Sequence, residues 1–466
     1  MYNGGVSLTF GEYLDGIKGK RVAVIGAGIS NTPLIEKLLI TGVETTVCDK
    51  RSGDELGEIA KRFETLGAGL SLGNDYLANL DADVIFRTPG LMPSNPALRD
   101  AVEHGAVLTS EMEVFFEVCP CMTIAVTGSD GKTTTTSIIA EILKREHRTV
   151  YTGGNIGRPL LCSADDMRAG DIAVLELSSF QLITMKKSPD IAVITNISPN
   201  HLDVHADMEE YIEAKRNIVL HQKRSGTAVF NYDNEYTKAF AVEAAGGTVF
   251  FSRTESVRDG FYLQGGTIRE SKNGRFSAVM QADEIRLPGA HNIENYMAAF
   301  AAVRDIAGRS AMLETARNFS GVSHRIELIR EHRGVRYYND SIASSPTRTI
   351  AGLRAFDQKV ILIAGGKDKG IAFDELGEEI IKRVKTLILT GLTAEQIQSA
   401  VVNNPGYSGE PDIIIQKEFS DAVLAASKTT LEGDIVLLSP ACTSFDRFRN
   451  FEERGDRFRE IVLSLD

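Results

Sequence analysis

An excess of basic residues is missing from this chain of 466 residues, which carries 51 Lys and Arg against 63 Asp and Glu for a formal net charge of −12. A nucleic-acid surface needs clustered cations to neutralise phosphates, so bulk DNA or RNA binding is excluded; a local basic pocket for a small anion is not. Cysteine is scarce and scattered, at Cys48, Cys119, Cys121, Cys162 and Cys442. An odd number without paired spacing fits neither a disulfide framework nor a zinc ribbon and points to reduced thiols in the cytoplasm. Cys119-Pro120-Cys121 is too tight for a zinc knuckle, has no second pair nearby and receives no function. No apolar run approaches the ~20 residues of a membrane span, and no basic segment followed by an apolar core and cleavage site opens the chain. Low-complexity tracts and fixed-period repeats are also lacking. With an apolar content of 43%, this excludes a disordered majority. The expected class is a soluble, cytoplasmic globular enzyme.

The length suggests about three domains at roughly 100–200 residues each, and three α/β series are present. The first opens with "KRVAVIGAGISNTPLIEKLLITGVETTVCDKR": strand, glycine turn, amphipathic helix, second strand and Asp49 at its end. Gly26 and Gly28 permit a tight turn beside a helix N-terminus, where a diphosphate is stabilised. Asn31 replaces the third glycine of the dinucleotide fingerprint, which leaves a dinucleotide, another nucleotide and a purely structural turn all open. "DVIFRTPG" then ends in Pro89-Gly90, resembling the C-terminal rim of a parallel sheet.

The second series begins "MTIAVTGSDGKTTTTSIIAEILKRE". A buried strand delivers a turn in which Gly128 and Gly131 let backbone N–H groups converge on phosphate oxygens, and the next helix offers its positive end. Lys132 adds a point charge for the terminal phosphates, and Thr133 a hydroxyl for magnesium. Val126 occupies the place of the first glycine of GxxxxGKT, so the match is TGxxGKT; the alternative is a helix merely capped by Ser or Thr. Glu176 ends an apolar strand, where its charge needs a cation or hydrogen bonds. His201 follows another apolar strand, as a satisfied turn residue or a ligand. The third series follows "GVSHRIELI", with "VRYYNDS", "KVILIAGG", "TLILTG" and "DIVLLSP" as strands.

The segments "TGSDGKTTT", "GGNIG", "ELSSFQL", "NHLD", "YIEAKRNI", "LPGAHNIEN", "GVSHRIE", "YNDSIASSP", "GGKDKG" and "LLSPACTSFDRFRNFEERGDRF" span nearly the whole chain. Together they resemble the Mur ligase family, the last segment being most similar to its D-glutamate-adding branch. The resemblance implies a Rossmann-like N-terminal domain (1–110), a central P-loop ATPase domain (111–321) and a C-terminal Rossmann-like domain (322–466). It also implies a cytoplasmic, monomeric ligase of peptidoglycan precursor synthesis that joins D-glutamate to UDP-N-acetylmuramoyl-L-alanine. ATP phosphorylates the substrate carboxylate, because a carboxylate is a poor electrophile, and the amine attacks the resulting acyl phosphate.

Residue by residue, the resemblance gives the ATP phosphates to Gly128, Ser129, Asp130, Gly131, Lys132, Thr133 and Thr134. Arg325 goes to the γ-phosphate, Asn292 and Asn295 to adenine and Asp340 to the ribose, with closure of the third domain completing the site. Thr133 and Glu176 hold one magnesium ion and His201 touches a second. Lys215, four residues after Tyr211, matches a carbamylated lysine. Unmodified, it would repel a magnesium ion by about 8 kcal/mol at ~4 Å with an effective dielectric near 20. Ile29, Ser30, Asp49, Lys50, Arg51 and Gly90 take the UDP portion. Asn155, Ser178 and His201 lie toward the reacting carboxylate. Ser344, Lys369, Ser444 and Phe451 take D-glutamate. Asn200 stands where relatives commonly have an acid, and Ile342 replaces a frequent lysine. The competing readings are a sibling Mur or folylpolyglutamate-type ligase, a P-loop nucleotide switch and a small-molecule kinase.

Overall fold

Short runs of Val, Ile, Leu and Ala, buried on both faces and separated by amphipathic helices, build parallel sheets in the computed structural model, which describes residues 8–78, 80–200, 204–368 and 370–466. Five such strands form the first sheet: β1 (Val22–Ile25), β2 (Thr45–Asp49), β3 (Gly69–Leu72), β4 (Val84–Phe86) and β5 (Val107–Thr109). Their order is β3-β2-β1-β4-β5, all parallel. The side-chain period of two divides each central strand between two cores. Val22, Val24 and Phe86 join one apolar cluster and Ala23, Ile25 and Ile85 another.

The second sheet contains β6 (Met122–Thr127), β7 (Val150–Gly154), β8 (Ile172–Glu176), β9 (Ile191–Ile194), β10 (Thr227–Asn231), β11 (Gly247–Ser252), β12 (Gly260–Gln264), β13 (Thr267–Lys272) and β14 (Arg275–Gln281). Its order is β14-β13-β12-β11-β10-β9-β6-β8-β7. The run from β7 to β12 is parallel and the last three strands form antiparallel hairpins. Because β6 lies between β8 and β9, with Val126 opposite Glu176 and Thr127 opposite Ile194, three strand ends open at one sheet edge. That edge is where ligands of parallel sheets sit.

The third sheet holds β15 (Glu327–His332), β16 (Val335–Asn339), β17 (Val360–Ala364), β18 (Val384–Leu389), β19 (Asp412–Ile415) and β20 (Ile435–Leu438). Its order is β15-β16-β20-β17-β18-β19, antiparallel only between β15 and β16. The chain divides into two compact units, one of residues 1–284 with 293–316 and one of 285–292 with 317–466. The first unit carries two sheets joined by a shared apolar cluster that runs from Phe10 and Val24 to Leu175 and Phe230. Arg87, wholly buried, adds polar stitching there: its guanidinium donates to the carbonyls of Leu91 and Phe180 and to Thr184 Oγ1.

Candidate functional site

The turn after β6 is held from three sides. Gly128 (φ 150°) and Gly131 (φ 78°) adopt conformations that favour glycine. A Cβ on Gly128 would overlap the Thr195 hydroxyl, and one on Gly131 the Asn295 amide oxygen. Thr195 Oγ1 donates to the Asp130 carbonyl at 2.5 Å, and Asn196 accepts from the backbone N–H groups of Ser129 and Asp130, each at 2.9 Å. Ser129 Oγ meets both the Ser198 carbonyl and the Tyr211 hydroxyl at 2.9 Å. The helix Lys132–Arg145 then starts at Gly131 with no side-chain cap, leaving its first N–H groups for an anion. Lys132 Nζ folds back to the Gly128 and Ser129 carbonyls at 2.9 Å each.

Glu176, 1% exposed, is the carboxylate at this edge. One oxygen accepts from Thr133 Oγ1 at 2.6 Å and the other from Asn155 Nδ2 at 2.7 Å. A buried carboxylate beside a hydroxyl is an all-oxygen donor set, which fits a hard divalent cation such as Mg2+. Opposite stands Lys215, on the helix Met208–Leu220 and 2% exposed. Its Nζ donates to the Gly128 carbonyl at 2.9 Å and lies 4.7 Å from the centre of the Tyr211 ring. Burial, then the neighbouring Lys132 charge, hold its amine well below the ordinary lysine range, against the opposing pull of Glu176 and Asp130. Asn295 completes the group, accepting from Thr135 Oγ1 at 3.2 Å.

A support beneath the loop has no counterpart in the sequence reading. His205 is buried, with Nδ1 3.1 Å from Glu210 Oε2 and Nε2 2.9 Å from Ser179 Oγ. Its ring stacks on Phe180 at 5.0 Å and meets the edge of Tyr211 at 5.3 Å. It thus ties the short helix Ser179–Leu182, capped by Ser178, to the tyrosine that holds Ser129. Tyr211 opens the motif "YIEAK" and Glu210 directly precedes it, the one local signal of this support.

The residues expected to take UDP lie at the ends of strands in the first sheet. Ile29 (84% exposed) and Ser30 lie in the turn after β1, Asp49 ends β2 followed by Lys50 and Arg51, and Gly90 lies beyond β4. Asp49 accepts from the Ala27 N–H and from the Arg51 guanidinium. Burial raises its pKa, but the Arg51 hydrogen bonds, then the backbone N–H groups, outweigh that and bring it to about 2. Asn31 turns inward, its amide donating to the Ile25 and Gly26 carbonyls at 3.0 and 3.1 Å. The side chain therefore fastens the turn in place of the close packing a glycine allows.

In the second unit, Arg325 sits between two residues of positive φ, His324 (63°) and Ile326 (42°). That bend is pinned where the Ile326 N–H meets Asp340 Oδ1 at 3.3 Å. Asp340 is buried; loss of hydration lifts its pKa to about 7, opposed first by the Ser439 hydroxyl hydrogen bond. Asn292 Nδ2 donates to the Pro288 carbonyl. Ser344, Ser444 and Phe451 lie on segments gathered by Arg454, which donates to Ser341 Oγ and to the Ser341 and Cys442 carbonyls; Ser341 in turn donates to the Phe451 carbonyl. His201 and Lys369 lie outside the described residues.

Sheet order, phosphate loop and buried carboxylate together define an α/β protein of the nucleoside-triphosphate-binding class. Residues 126–303 match the model of the Mur ligase middle domain, and 324–442 that of the Mur ligase glutamate ligase domain. UDP-N-acetylmuramoylalanine--D-glutamate ligase of Ruminiclostridium cellulolyticum is 49% identical over 97% of this chain and 98% of its own length. The enzyme of that name from Clostridium novyi is 48% identical over 98% and 99%. The chain belongs to the Mur ligase family. Among solved structures, UDP-N-acetylmuramate-alanine ligase of Thermotoga maritima shares the fold with a TM-score of 0.57 at 17% identity, covering 96% of this chain and 99% of that one.

Proposed function

We infer that this protein is an ATP-dependent ligase that adds D-glutamate to UDP-N-acetylmuramoyl-L-alanine through an acyl phosphate, a step of peptidoglycan precursor synthesis. The similarity to D-glutamate ligases at 49% identity across nearly the full length carries this reading. The siblings that share only the fold fall to 14–19%.

The assignments to individual residues are part of the proposal. Gly128 to Thr134 cradle the phosphates of ATP; Lys132 swings from the two carbonyls it now meets to the terminal phosphates, supported by the uncapped helix end behind it. Thr133 and Glu176 hold magnesium, which screens the phosphate charge when bound. The depressed amine of Lys215 supports its conversion to a carbamate: a neutral amine attacks carbon dioxide, forms the N–C bond and releases one proton. The product would supply an anionic oxygen ligand for a bound magnesium ion. A second ion at His201 belongs to the same proposal. Asn155 and Ser178 orient the acceptor carboxylate, and Ile29, Ser30, Asp49, Lys50, Arg51 and Gly90 bind its UDP end. Asn292, Asn295, Arg325 and Asp340 bind the nucleotide. Ser344, Lys369, Ser444 and Phe451 bind D-glutamate. The working state is a monomer in the cytoplasm. Among the described residues no helix is long and apolar enough to cross a membrane.

The test is phosphate release by purified protein with ATP and Mg2+. Release is expected only when the UDP-muramoyl substrate and D-glutamate are both present, with L-glutamate, L-alanine and lysine inert. Release with D-glutamate omitted, or equal use of another amino acid, overturns the assignment.

A further inference from the structure

Cys119-Pro120-Cys121 connects the helix Glu111–Val118 to β6, the strand that delivers the phosphate loop. Both cysteines are free thiols, Cys119 partly exposed and Cys121 buried, and their sulfurs are 3.5 Å apart. That separation is the range in which reacting atoms are already in contact. Two residues further on the strand is clamped, with the Thr123 N–H and hydroxyl bonded to Asp190 Oδ2 at 2.9 and 3.0 Å. Movement needed to join the sulfurs is therefore confined to the connector.

We propose that Cys119 and Cys121 form a dithiol site for small disulfides, with Cys119 as the attacking thiol and Cys121 as the resolving one. In the first step Cys119, as thiolate, attacks one sulfur of RS–SR; the reagent's S–S bond breaks, RS− leaves and takes up a proton, and Cys119 carries SR. In the second step Cys121 gives up its proton and attacks Cys119 Sγ, expelling the second RS−. The pair loses two electrons and two protons, and RS–SR is reduced to two RSH. A ring closed across three residues is strained and readily opened by a dithiol, so the reaction is reversible.

The remaining cysteines provide the contrast. Cys48 and Cys442 are buried, and Cys162 is partly exposed, as Cys119 is. Burial pushes all three thiols up to about 11. Cys119 is shifted the other way, chiefly by its hydrogen bond with Cys121 and against its own burial. A partly exposed thiol of lowered pKa beside a resolving partner is the arrangement that reacts selectively.

Folded full-length protein is treated with glutathione disulfide, quenched in acid, digested with trypsin and weighed. The peptide from Asp100 to Lys132 holds both residues. In the unsubstituted protein it is expected to lose two hydrogens, keep no glutathione and regain the hydrogens with dithiothreitol. Cys121→Ser is expected to trap one glutathione on Cys119, and Cys119→Ser to leave this peptide unmodified. Reaction at Cys119 is expected to exceed that at Cys162 by at least about tenfold. A fully reduced wild-type peptide, or a Cys121→Ser protein that traps nothing while retaining its circular dichroism spectrum, overturns the proposal.

Discussion

A buried lysine amine beside a carboxylate-and-hydroxyl pair is a poor neighbour for a divalent cation, and Lys215 sits in that position. Conversion to a carbamate reverses the sign of its interaction with the metal. Lys215→Ala is therefore expected to lower kcat by about a hundredfold or more, and a small carboxylate such as formate to restore part of it. Full activity in the variant, measured by phosphate release, refutes the role. Glu111 shows what burial does to an acid whose hydrogen bonds come from backbone N–H groups. It accepts from the Leu161 N–H at 3.0 Å, yet loss of hydration dominates and lifts its pKa to about 7, opposed by the Leu161 and Leu160 N–H groups. The folded protein thus retains a proton that the unfolded chain releases near its ordinary carboxylate pKa. Stability contributed by the neutral acid is complete below that lower pKa, declines as pH rises and is lost above about 7. Glu111→Gln should flatten the decline between pH 5 and 8, by up to about 3 kcal/mol. Denaturant melts of both proteins at the two pH values measure it; parallel pH dependences argue against a titrating Glu111.

At the level of elements, the phosphate loop is an example of backbone space reserved by neighbouring side chains. Gly128→Ala combines a positive φ with overlap on Thr195, so the turn must shift at a cost of about 1–3 kcal/mol. Nucleotide affinity is expected to fall at least about tenfold, as a misplaced N–H cradle cannot meet its phosphates. Thr195→Ala removes the overlapped hydroxyl and, in the double variant, should return part of the loss. An unchanged dissociation constant for Gly128→Ala in nucleotide titrations sinks the account. The loop is legible because strand, glycines, lysine and helix are consecutive, and the short continuous apolar runs at Val22–Ile25, Ile172–Glu176 and Val360–Ala364 read directly as strands buried on both faces. The strands β10 to β14 carry a weaker signal, since the apolar runs of β10, β11, β12 and β14 are only three residues long and β13 holds Ile268 alone. The role of His205 is not legible in the sequence, because its partners Ser179 and Tyr211 lie 26 residues before and six after it, and contact across that separation has no local pattern. The inward turn of Asn31 was equally hidden: a glycine substitution in the sequence does not reveal which carbonyls the new amide will meet.

Across the whole molecule, the distribution of apolar clusters sets what unfolds together. The first and second sheets share one cluster, in which Val24 and Phe86 from one sheet join Leu175 and Ile194 from the other, and Arg87 bonds across the same junction. The third sheet has separate cores on its two faces, with Leu362 and Leu387 on one side and Ile361 and Ile388 on the other. Cavities in these clusters should therefore report on different cooperative units. Leu175→Ala and Leu362→Ala each remove a fully buried side chain and are expected to cost about 2–5 kcal/mol. Hydrogen exchange at low denaturant, read by mass spectrometry on peptides, follows each sheet separately. With Leu175→Ala, peptides from 22–109 and from 122–194 should lose protection at the same denaturant concentration while those from 335–438 keep theirs; Leu362→Ala should give the converse. If the first sheet keeps its protection after Leu175→Ala has opened the second, the shared cluster does not couple them, and each sheet is a separate folding unit despite the buried contacts that join them.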